Sequence, residues 1–191
     1  MSLDGITVRD LVFAAAAGTA IAAACGLRAF LPLLALGLGV RFGFLHVAPA
    51  GEWIASTPAL ISLVWATAIE LVADKVPALD HALDVVATVL RPLAAAAAAW
   101  CTFVGLHPAI AVAAALILGT GAMGVHVAKA KVRLGSSMLT LGSANPLLSV
   151  VEDTLSIGLS AMAVLAPLAA LVGVGLLVWV FGRAFRGAPR N

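Results

Sequence analysis

Residues 145–183 read NPLLSVVEDTLSIGLSAMAVLAPLAALVGVGLLVWVFGR, an apolar run whose only charges before Arg183 are the adjacent Glu152 and Asp153. At 1.5 Å per residue from a helix start at Asn145, that pair lies roughly 11 Å into a hydrocarbon layer about 30 Å thick. A charged side chain at such depth costs on the order of 3 kcal/mol by insertion scales, so it faces a bundle interior, a cavity or an ionic partner. The run therefore predicts two membrane helices and a polar site within the membrane.

The rest of the chain agrees. Its 191 residues are 63% hydrophobic and 10% charged, with mean hydropathy +1.13, whereas a soluble domain is about half apolar and a quarter charged. The fold class expected is all-α: a polytopic transmembrane bundle of six or seven spans, forming a single domain over residues 1–191. Apolar segments fall near 11–25, 29–45, 56–73, 83–105, 108–128, 145–163 and 165–182. Only Gly26-Leu27-Arg28 separates the first two, so either two spans meet in a tight turn or one helix is broken or re-entrant near Arg28. Cys25 and Cys101 lack metal-type spacing and read as small buried residues. The segment after the N-terminus reads as a retained span, not a cleaved signal.

Basic residues in short loops set the orientation. Lys129, Lys131 and Arg133 open a loop after the fifth segment, and Arg183, Arg186 and Arg190 fill the C-terminal tail. Both are expected in the cytoplasm, which implies a bacterial cytoplasmic (inner) membrane and puts residues 46–57 outside. Nucleic acid is not an expected partner, because the net charge is only +2 and the basic tail is explained by orientation.

Helical projection gathers the polar residues into seams. Asn145, Ser149, Glu152, Asp153, Ser156 and Ser160 fall within an arc of about 100° on the sixth segment. On the third, Thr67, Glu70 and Asp74 share an arc of about 60°. The fourth opens with Asp80, Asp84, Thr88 and Arg91 on one face. Pro77 starts that helix, so Glu70, Asp74, Asp80 and Asp84 surround Lys75 at the cytoplasmic tip of a helical hairpin. On the fifth, Gly119, Ala122, His126, Lys129 and Arg133 share a face that is small at mid-membrane and basic toward the cytoplasm. His126 titrates near physiological pH, which suits proton coupling; a lone histidine at a helix end also serves as an ordinary structural residue. Residues 135–146 are rich in Gly and Ser, and read as a loop able to fold into a cavity.

These motifs resemble the DUF4126 family of small integral membrane proteins. The residues that carry the likeness are Gly26-Leu27-Arg28-Ala29-Phe30-Leu31-Pro32, Glu70 with Ala73-Asp74-Lys75 and Pro77, and Asp80 and Asp84. Arg91-Pro92, His126 with Lys129, Asn145-Pro146, Ser149 and Glu152-Asp153 complete it. The resemblance implies a helical membrane fold and lends no reaction.

Three function classes follow. In a transporter or channel for a small cation or cation-coupled solute, Glu70, Asp74, Asn145, Ser149, Glu152 and Asp153 line the pathway. Arg28, Lys75, Arg91, His126 and Lys129 then supply charge balance or coupling, and a bound cation is the one candidate cofactor. In a membrane enzyme acting on a lipid phosphate, Asp74, Asp80 and Asp84 would hold Mg²⁺, with Lys75, Arg91 and Lys129 as anion clamps. In a structural or assembly subunit, the interior ion pairs would only specify packing. Partners are the lipid bilayer and a small ion or solute, and a homo-oligomer is left open.

Overall fold

The computed structural model describes residues 7–73, 77–140 and 143–186; within these it describes side chains except at 77–85, 145–146, 181 and 184–186. The described residues form seven α-helices: α1 (Val8–Cys25), α2 (Phe30–Arg41), α3 (Thr57–Ala73), α4 (Pro77–Phe103), α5 (Pro108–Thr140), α6 (Asn145–Leu165) and α7 (Pro167–Arg186). A 3-10 helix at Pro49–Ala55 precedes α3 and meets it at an angle of 51°.

Proline and capping chemistry place the starts. Pro77, Pro108 and Pro167 open α4, α5 and α7, and Pro58 and Pro146 are the second residues of α3 and α6. Proline suits a first turn because its missing N–H would have no partner there. Pro92 is different, lying inside α4. At α1, Thr7 and Asp10 form a reciprocal capping box, satisfying two exposed donors of the first turn. Gly43, at φ +76°, takes the left-handed conformation that glycine tolerates just beyond the end of α2.

The helices alternate in direction. Leu11 near the start of α1 and Ala48 beyond the end of α2 both lie against Gly105. This is possible only if the chain reverses at residues 26–29, which makes α1 and α2 a tight hairpin and resolves the Arg28 alternatives in favour of a turn. Gly18 of α1 meets Thr102 of α4, Gly39 of α2 meets Val164 of α6, and Gly173 of α7 meets Leu159 of α6. The turns at 26–29 and around 143–144 therefore share one end of the bundle with the end of α3, and the chain leaves α7 there. Residues 42–56, 104–107 and Ala166 lie at the other.

α1 is the central helix, packed against α2, α4, α5, α6 and α7. Its buried residues are Ala14, Ala16, Ala17, Gly18, Ala20, Ile21, Ala22, Ala24 and Cys25. Such small side chains let backbones approach closely, which is how helices pack where lipid removes the hydrophobic drive between them. The alanines of α4 answer them, with Ala94, Ala95, Ala98 and Ala99 buried. Both cysteines are buried and free.

The outer surface is apolar. Ile61, Val64, Trp65, Ile69 and Val72 are exposed along α3, and Leu116 and Ile117 along α5, far more than a protein surface in water tolerates. Among the described residues four helices are long and apolar enough to cross a membrane: Val8–Cys25, Val86–Phe103, Pro108–Thr140 and Leu147–Leu165. The bent Pro49–Ala55 and Thr57–Ala73 pair makes a fifth if taken as one span, and Phe30–Arg41 and Pro167–Val180 are shorter apolar helices. These helices suggest a membrane-embedded protein.

One expectation is corrected. Lys129, Lys131 and Arg133 do not open a loop: α5 runs on through them to Thr140, and the Gly/Ser-rich stretch is helical as far as that residue. The physical reason lies in the partners of these cations.

Candidate functional site

The four-residue turn between α1 and α2 is where the polar side chains gather. Gly26 permits it, since a Cβ there would lie 2.5 Å from Val125 Cβ and 2.8 Å from the Ala122 carbonyl oxygen. With α5 this close, the Lys129 ammonium donates to the carbonyl of Leu27 at 3.4 Å. A cation there sits at the C-terminal end of α1, the negative end of its dipole.

The other side of the turn has the opposite need. α2 begins with Ala29 at its cap, which has no side chain to offer, and Pro32 cannot donate. The missing cap comes from another helix. Glu70 of α3 accepts from the backbone N–H of Ala29 at 2.8 Å through Oε1 and of Phe30 at 3.1 Å through Oε2. A carboxylate at a helix start meets both the orphan N–H groups and the positive dipole end. Replacing Glu70 by Gln keeps one acceptor but loses the charge and one bond. The expected loss is about 1–2 kcal/mol of stability, read from thermal unfolding in detergent; an unchanged midpoint would contradict this role.

Arg28 lies between these two caps. It is 1% exposed, and its Nη2 donates to Ser149 Oγ at 3.1 Å and lies 2.5 Å from Asp153 Oδ1. The neighbouring acid faces a different helix. Glu152 Oε2 is 2.8 Å from Lys129 Nζ and 2.9 Å from Arg133 Nη2, while Arg133 Nε donates to Oε1 at 3.2 Å. The two-pronged arginine contact fixes the carboxylate plane as well as its charge. Glu152 and Asp153 thus tie α6 to α5 and to the α1–α2 turn. The same contacts explain the helical course of 129–140, because cations matched from α6 have no need of a solvated loop.

A second cluster adjoins them on α4 and α5. Arg91 Nη1 contacts His126 Nδ1, and Thr88 Oγ1 lies 3.2 Å from His126 Nε2. A guanidinium only donates, so Nδ1 is the acceptor.

Of the residues named from sequence, Arg28, Ser149, Glu152, Asp153, Lys129 and Glu70 meet around one turn, and Arg91 and His126 pair beside it. Asp74 and Lys75 lie outside the described residues, as do the side chains of Asp80, Asp84 and Asn145. Arg133 belongs to α5 and not to a loop, and it completes the cluster from the face it shares with Lys129; the spacing of four between them is the sequence signal for that. The backbone groups of Leu27, Ala29 and Phe30 carry no such signal. Counting 1.5 Å per residue along α1 puts Arg28 roughly 30 Å from the other end of the bundle. Among the described residues no three His, Cys, Asp or Glu side chains group as a metal ion needs.

No curated protein and no solved structure matches this chain. The family model described as "Domain of unknown function (DUF4126)" matches residues 15–186. That span includes the α1–α2 turn and every charged partner described around it. The chain belongs to the DUF4126 family.

Proposed function

We propose that the protein is a membrane transporter or channel for a small cation, or a solute coupled to one, and that the charge cluster is its gate. One observation carries this reading: adjacent acids on α6 hold different partners, Glu152 gripping Lys129 and Arg133 of α5 while Asp153 grips Arg28. A proton or cation arriving at Glu152 weakens the grip on α5 and leaves the grip on the turn untouched. Neutralising one member of a buried pair costs about 3–5 kcal/mol, so a proton or cation at Glu152 acts strongly on the hold between α5 and α6. Ionisable residues within membrane segments commonly mark ion and proton paths. The charged end faces the cytoplasm in this reading, with the C-terminal arginines.

A structural or assembly role is favoured by a different observation, that Glu70, Glu152 and Asp153 each already have a partner. Flux separates the two. Protein sealed into vesicles is expected to pass protons or alkali cations down a gradient, followed with a pH-sensitive dye and ion-selective electrodes. Glu152→Gln and Asp153→Asn should each lower that flux at least tenfold while helix content and elution volume stay unchanged. Absence of flux in the native protein, with Glu152→Gln lowering only thermal stability, assigns the cluster to packing.

A further inference from the structure

The buried face of α6 does not become apolar beyond Glu152. One and two turns further on, Ser156 and Ser160 are 0% and 1% exposed, and neither hydroxyl has a hydrogen-bond partner. Hydroxyls on helices ordinarily return their hydrogen to the carbonyl one turn back. Thr154 does so to Val150 at 2.8 Å, Thr120 to Leu116 at 2.7 Å and Thr102 to Ala98 at 2.9 Å. These two serines depart from that habit. An unmatched hydroxyl in an apolar interior is unfavourable, and two in register on one helix need a common explanation.

Their line leads somewhere. Steps of four residues take Glu152 to Ser156, Ser160 and Val164 at roughly 6 Å per step, the line winding about 40° round the helix each time. Val164 lines a cavity of about 200 Å³ at the opposite end of the bundle, together with Arg9, Asp10, His46 and Leu165. The seam between is formed where α6 packs against α1, α2 and α7.

We infer that this seam carries a single file of water from that cavity to Glu152, with Ser156 and Ser160 as its fixed polar contacts, and that the cargo is the proton. The inference rests on the transport reading. A serine hydroxyl donates and accepts, so it serves a water file in either orientation. A metal cation would need about six oxygen ligands at once, which two serine hydroxyls do not supply. Each water passes on one proton and receives another. Glu152 takes the arriving proton on a carboxylate oxygen, loosens Lys129 and Arg133, and returns it to water at the charged end; no other bond changes.

Water-edited solid-state NMR of the full chain in lipid, with ¹³C-labelled serine, tests the file directly. Signals of Ser156 and Ser160, assigned by Ser156→Ala and Ser160→Ala, should take up water magnetisation about as fast as exposed Ser143. In vesicles, Ser160→Val should lower proton flux at least tenfold, and Ser160→Thr should retain it. Serines that stay as dry as the surrounding core, or a Ser160→Val protein that conducts normally, overturn this path even where the native protein conducts. Wet serines in a native protein that passes alkali cations but no protons overturn the proton cargo alone, and a native protein that passes neither overturns the transport reading with it.

Discussion

Replacing Arg28 by Met is expected to lower stability by about 3–5 kcal/mol, the cost of leaving one member of a buried pair without its counter-ion. Arg28 is almost wholly enclosed, and its guanidinium meets Asp153 and Ser149 together. Methionine fills much of the same volume, so the loss reports the charge and not a cavity. The diagnostic comparison is the double variant Arg28→Met with Asp153→Leu. Removing both charges spares each its desolvation, so the double variant should recover most of the loss in detergent unfolding. If the single variant costs less than about 1 kcal/mol, solvent reaches Asp153 freely and the pair is not a lock.

Gly18→Ala should be almost as damaging, although it adds a single methyl group. A Cβ at Gly18 would stand 1.9 Å from Thr102 Oγ1 and 2.7 Å from Thr102 Cβ. The threonine cannot simply turn away, because its hydroxyl donates to the carbonyls of Ala98 and Ala99 and it is 2% exposed. α1 and α4 must separate instead, and overpacking of this kind costs about 1–3 kcal/mol. Thr102→Gly in the Gly18→Ala background removes the obstructing atoms and should restore part of the midpoint. Gly121, with nothing near its virtual Cβ, is the control: Gly121→Ala should leave stability unchanged or slightly raised.

The sequence made some of this visible and concealed the rest for identifiable reasons. The seam on α6 was legible because a period of 3.6 alone puts Ser149, Glu152, Ser156 and Ser160 on one side, and all four are buried. The course of α5 past residue 128 was not, because hydropathy treats Lys129 and Arg133 as solvated while their counter-ion sits on another helix. Glu70 was recognised as an intramembrane acid, but its partners are two main-chain N–H groups, which look alike at every position of a chain. The hairpin at residues 26–29 depended on whether Leu11 and Ala48 come together at Gly105, a tertiary fact that local spacing leaves undecided.

The turn at Arg28 has a consequence for synthesis on the ribosome. Its stabilising contacts come from 41 residues away for Glu70, 102 for Lys129 and 121 for Ser149. At about 5–20 residues per second, α1 and α2 wait several seconds for the contacts that Ser149 and Asp153 of α6 bring to the turn. A chain cut short before residue 149 would therefore hold the turn without its α6 contacts, and the hairpin would form without the helix that closes the cluster.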